Sequence, residues 1–102
     1  MAFNAILSET ANTDLEIIVE YYYELNKKIA KRYHTDIIGR IKKLRDFPQI
    51  GRIVPECEDI FYDKYREIIY EHFRIIYKIV DEAVVVVRII DGRRLLDIDM
   101  VE

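Results

Sequence analysis

A chain of 102 residues, 51% apolar and 34% charged, has the size and composition of one soluble domain around one core. Its net charge of −3 and pI near 5.4 argue against a uniformly basic surface of the kind that holds nucleic acid non-specifically. One cysteine, Cys57, excludes an intramolecular disulfide and a cysteine-based metal cluster. Without a neighbouring base, Cys57 reads as inert.

Residues 3–7 are short and apolar and suit one added strand. Ser8 follows as a helix N-cap, with Glu9 in the first turn, where a carboxylate favours the helix dipole. Apolar residues then recur at Ala11, Leu15, Ile18, Tyr22, Leu25 and Ile29, alternating steps of four and three, which is one stripe of a helix. The pattern continues through Tyr33, Ile37, Ile41 and Leu44. One helix over all of this would be about 56 Å long at 1.5 Å per residue, too long for a domain whose radius of gyration should be near 13 Å. The break is expected at Asn26, because asparagine tolerates the left-handed conformation that ends one helix and caps the next. The expectation is a helical hairpin, 9–25 and 27–46. The tyrosines at 21–23 are read as packing residues of that hairpin. Its arms carry opposite charge: residues 1–26 hold five acids and no base, residues 27–52 nine bases and two acids. A solvated helix face is the simplest reading of the basic arm.

Phe47-Pro48 ends the second helix, and residues 49–56 form a loop punctuated by Gly51 and Pro55. Residues 57–61 are acidic and irregular. The stretch from Tyr62 to Arg94 is dominated by β-branched and aromatic residues, broken at Glu71-His72 and Asp81-Glu82. It predicts three antiparallel strands, near 63–70, 73–80 and 83–90, joined by tight turns. Centring the second hairpin on Asp81-Glu82 places Phe73, Ile75, Tyr77 and Ile79 on one face with Val84, Val86 and Ile90. Arg74, Ile76, Lys78, Val85 and Val87 fall on the other, and Arg88 at the rim. The last eight residues show no period. The whole predicts an α+β fold over residues 1–102: an N-terminal helical hairpin packed on a small antiparallel β-sheet. Leu15, Ile18, Tyr22, Ile37, Ile41, Leu44, Phe73, Ile75, Tyr77 and Val86 are the expected core.

No metal-ligand cluster, phosphate-binding loop, dinucleotide fingerprint or nucleophile motif is present, so no metal and no cofactor is expected. No apolar run approaches the roughly 20 residues of a membrane span, and the start lacks the basic region and apolar stretch of a signal peptide. A reducing cytoplasm is the expected location. The chemistry-bearing residues form a basic and aromatic set: Tyr62, Lys64, Tyr65, Arg66, His72, Arg74, Lys78, Arg88, Arg93 and Arg94. Such a set suits the polar rim of a sheet. It also suits a ribonuclease in which arginines neutralise a scissile phosphate while a tyrosine or histidine moves protons.

The run Phe47-Pro48-Gln49-Ile50-Gly51-Arg52-Ile53-Val54-Pro55-Glu56, then Tyr65-Arg66-Glu67, Phe73-Arg74-Ile75-Ile76-Tyr77-Lys78 and Gly92-Arg93-Arg94, resembles the RelE/ParE superfamily of toxins over nearly the whole chain. The resemblance implies a toxin silenced by a cognate antitoxin, and two helices against an antiparallel sheet. RelE-like members cut mRNA on the ribosome with catalytic residues on the strands and a tyrosine or histidine–tyrosine pair near the C-terminus. ParE-like members inhibit DNA gyrase. The tail from Leu95 to Glu102 has no Tyr or His, and the pI is low for a ribosome binder. Ile50-Gly51-Arg52, Tyr65-Arg66-Glu67 and Gly92-Arg93-Arg94 look more like ParE. The expectation is therefore a toxin of a plasmid-stabilising toxin–antitoxin pair that inhibits gyrase. The alternatives are a ribosome-dependent mRNA nuclease using Tyr65, Arg66, His72, Arg74 and Arg88, and a relic that only binds its antitoxin. Asp91 stands where many relatives have histidine. The antitoxin is expected on the uncovered sheet face and its end, at Arg74, Ile76, Lys78, Val85, Val87, Gly92, Arg93 and Arg94. An open sheet edge there invites strand addition by an acidic, amphipathic tail.

Overall fold

The computed structural model describes residues 3–57 and 64–92. Its elements follow in the order β1 (Asn4–Leu7), α1 (Glu9–Leu25), α2 (Lys27–Lys43), β2 (Arg52–Ile53), a 3₁₀ turn (Pro55–Cys57), β3 (Arg66–Tyr70), β4 (Phe73–Val80) and β5 (Ala83–Asp91). The hairpin and the last two strands stand where the apolar periodicities place them; β3 begins at Arg66, three residues later than expected. The radius of gyration is 13.3 Å.

Local chemistry sets the boundaries. The Ser8 hydroxyl accepts from Ala11 N at 3.0 Å and donates to Val87 O at 3.1 Å, so one cap starts α1 and ties it to the sheet. Asn26 Oδ1 accepts from Lys28 N and Ile29 N, capping α2. Its backbone is extended (φ −164°) rather than left-handed: the asparagine separates the helices by starting the second, not by coiling the end of the first. α2 ends at Lys43, three residues before the expected limit, and a turn leads to Pro48.

The sheet runs β1-β5-β4-β3-β2. It is mixed rather than wholly antiparallel. β1 pairs in parallel with Ala83–Val86 of β5: the hairpin carries the chain from β1 to the far edge at β2, and the antiparallel run β2-β3-β4-β5 brings it back beside β1. β2 rises from the expected loop and pairs with Arg66 and Glu67. Two-residue turns close both hairpins as expected, with Glu71 and Asp81 at positive φ (53° and 54°).

Between Ile76 and Tyr77, β5 slips by one residue: Tyr77 faces Val86 but Ile76 faces Arg88. This bulge corrects the expected faces beyond it. Ile89, not Ile90, joins the inner core with Phe73, Ile75, Tyr77, Val84 and Val86. Ile90 turns to the outer face. The helices supply Ala11, Leu15, Tyr33, Ile37, Ile41 and Leu44 to the same inner core, with Ile18 and Tyr22 half-buried at its margin. Of the three adjacent tyrosines only Tyr22 packs inward, edge-on to Tyr33 and Phe73; Tyr21 and Tyr23 are exposed.

No helix among the described residues is long and apolar enough to cross a membrane.

Candidate functional site

The outer face departs most from expectation. Residues 48–57 wrap the β3 edge as a strap: Pro48 and Gly51 meet the inner-face Tyr77, Arg52–Ile53 form the edge strand, and Val54–Cys57 fold over the outer face, closing a second core of Val54, Cys57, Tyr65, Ile76 and Ile90. Ile76 is therefore fully buried, and Arg74 is 6% exposed; neither lies on an open surface.

Each family motif supplies a part of this clamp. The Tyr77 hydroxyl donates to Pro48 O at 2.7 Å and accepts from Gly51 N at 3.0 Å. Burial raises its pKa, and the Gly51 N–H pulls the other way. A Cβ on Gly51 would lie 2.7 Å from Glu67 O and from that hydroxyl, so the strap approaches closely enough only with glycine there. Arg66 donates from Nη1 to Gly51 O at 2.8 Å. The fully buried Glu67 carboxylate accepts from Arg52 Nε at 2.7 Å and from Arg74 Nε at 2.6 Å. Arg74 makes a bidentate pair with Glu56, 2.7 Å at each oxygen. These bonds, Glu56 first, raise the guanidinium pKa despite burial. All three guanidinium nitrogens thus bind structural carboxylates, and the chain Arg52–Glu67–Arg74–Glu56 ties β2, β3, β4 and the 3₁₀ turn together.

The remaining nominated residues are also engaged. Tyr65 is fully buried in the second core. The Tyr22 hydroxyl and His72 Nε2 share a 2.9 Å hydrogen bond. Arg88 sits at the rim as expected, held by Asp14 of α1: Nε lies 2.7 Å and Nη2 3.0 Å from its oxygens, and Ile89 N donates to the same carboxylate at 3.0 Å. This pair raises the Arg88 pKa. The five candidate catalytic residues do not form one site: His72 and Arg74 line a common cavity, but Tyr65 is buried in the second core, Arg66 is bonded to Gly51 of the strap, and Arg88 is paired with Asp14 of α1. Sequence reasoning gave no role to Asp14, Glu56 and Glu67; Glu56 and Glu67 stand inside the quoted motifs, and Glu67 was legible as an acid in a strand of apolar residues. Among the described residues no group of three or more His, Cys, Asp or Glu is placed to hold a metal ion.

Lys78, Val85 and Val87 remain half-buried on the outer face, and Gly92 is exposed at its end. Tyr62, Arg93 and Arg94 lie outside the described residues, as do most of the irregular run and the tail. A groove of about 420 Å³ opens between α1 and the end of β5, lined by Asp14, Ile17, Tyr21, Tyr22, Phe73 and Arg88 among others. β1 stops at Leu7, and beyond Val86 that side of β5 is met, among the described residues, by the Ser8 hydroxyl and the Asp14 carboxylate.

A helical hairpin on one face of a five-stranded mixed sheet, with a clamped strap at its edge and outer face, defines a small α+β domain. The family model for the ParE toxin of type II toxin-antitoxin system, parDE, matches residues 5–96, and the chain belongs to that family. Among solved structures, a chain from the "Chromosomal ParDE TA system from P. aeruginosa" aligns with a TM-score of 0.69 at 21% identity, over 86% of this chain and 94% of that one; at this identity the likeness is one of fold. No curated protein matches the sequence.

Proposed function

We propose that this ParE-family chain inhibits DNA gyrase through protein contacts, in the cytoplasm, until a cognate antitoxin covers it. The family match carries the reading. What favours protein contacts over RNA cleavage is the engagement of Arg74 and Arg88 with buried or half-buried carboxylates. An arginine satisfied by two carboxylates is a poor clamp for a phosphate, because binding would first leave a buried acid unpaired. The antitoxin surface is the open remainder of the outer face, Lys78, Val85 and Val87, continuing to Gly92 and the groove beside α1. Arg93 and Arg94 extend that end in sequence.

A supercoiling assay with purified gyrase, run beside mRNA cleavage on ribosomes, tests the target. Inhibited supercoiling with intact message is expected. Cleaved message with unaffected gyrase would overturn the reading, and inertness in both would mark a relic that only binds its antitoxin.

A further inference from the structure

We infer that the solvent face of α2 binds the sugar–phosphate backbone of duplex DNA. At 100° per residue, the direction opposite the buried Ala30, Ile37 and Ile41 is centred on Lys28, Thr35, Gly39 and Lys43, with Lys31 and Lys42 along one flank. All six are exposed, and the four lysines make no ion pair among the described residues. From Lys28 to Lys43 the helix rises about 22 Å. Arg32 lies near the middle of the same face, where its bond to Tyr70 raises the guanidinium pKa.

Two features of this face oppose the stability of the helix that carries them. The first turn holds Lys27 and Lys28 and no acid. Positive charge there opposes the helix dipole, whereas Lys42 and Lys43 in the last turn favour it. Gly39 stands mid-helix, and a Cβ added there would meet nothing within 4 Å, so nothing inside the molecule requires a glycine. Lysines along the face and bare backbone at its middle suit a ligand that approaches the helix closely and is negatively charged along its length.

The chemistry of the face selects among polyanions. A protein partner would need apolar anchors at the centre of its footprint. The exposed apolar side chains lie elsewhere, at Ile17, Tyr21 and Leu25 on α1 and at Phe47 and Ile50 in the strap's approach. Single-stranded nucleic acid would need aromatic platforms for its bases, and this face has none. Duplex DNA, whose phosphates are read by lysines without base contacts, meets neither objection. The acidic outer side of α1, with Glu16, Glu20 and Glu24 exposed, orients the chain so that only α2 meets the polyanion.

Fluorescence anisotropy of the full chain with a labelled 20-base-pair duplex, titrated across salt concentrations, tests this. Four phosphates neutralised give a slope of log K on log[salt] of about −4, at about 0.9 per contact. Lys28→Glu with Lys43→Glu should flatten the slope by about 2 and lower low-salt affinity about tenfold or more. The control Lys27→Glu with Arg45→Glu changes net charge equally, off the centre of the face, and should keep the slope near the parent's. Circular dichroism checks that both variants fold. Equal losses in both pairs, no loss in the first, or displacement of the duplex as readily by polyglutamate or single-stranded DNA would each overturn the proposal. No gyrase enters the assay, so its failure would leave the supercoiling result standing.

Discussion

On the inner face of the sheet, Phe73, Ile75, Tyr77, Val84, Val86 and Ile89 interlock with Leu15, Tyr33, Ile37, Ile41 and Leu44 from the hairpin. On the outer face a smaller set, centred on Ile76 and Ile90, is closed by residues 48–57 and tied down by Arg52, Glu67, Arg74 and Glu56. The inner face rests on area removed from water, which is tolerant of detail. The outer face rests on buried charges, where removing one partner leaves another desolvated and unpaired. Two layers of one sheet can therefore fail in different ways.

The largest expected effect is on the outer face. Arg74→Ala leaves Glu67 buried with only the exposed Arg52 and removes the partner of Glu56, and should destabilise the fold by about 3–5 kcal/mol. Denaturant unfolding measures the loss, and limited proteolysis should cut first within residues 48–57. Intact resistance there would mean that the strap is held by Val54 and Tyr65 rather than by the ions.

Ile75→Ala, on the inner face of the same strand, should cost about 2–5 kcal/mol, with the spread set by how far the hairpin settles into the gap. Here protection should fall across α1, α2 and the strands together. Selective opening of the strap by this variant would dissolve the distinction between the faces.

The smallest effect should come from alkali. The Tyr70 hydroxyl is held above its ordinary value, at about 12, chiefly by burial and then by the 2.7 Å hydrogen bond that it donates to Asp36. A raised tyrosine pKa means that the folded state favours the protonated form. Its contribution is fully present below the unfolded value near 10 and is lost as pH rises through about 12. Stability measured from pH 9 to 12 should decline less in Tyr70→Phe than in the parent. Equal slopes would locate the alkaline loss at Tyr77, which shifts in the same direction.

Periodicity in the sequence determined much of this protein: the hairpin and its break at Asn26, the strands on either side of Glu71-His72 and Asp81-Glu82, and most of the inner core. Each of these is decided within a few residues, by a repeat of 3.6 or of 2 and by the capping and turn chemistry at its ends. The motifs also carried the family. Only the tertiary structure decided what the motif residues do. Arg66 and Arg74, read as nuclease candidates and Arg74 also as interface, build the clamp instead, because Arg66 meets Gly51 and Arg74 meets Glu67 across a hairpin and Glu56 from the 3₁₀ turn. The bulge opposite Ile76 likewise moved Ile89 inward and Ile90 outward. A pattern with period 2 states which residues alternate, but it holds no record of where one strand slips past the next or which distant acid a basic side chain will find.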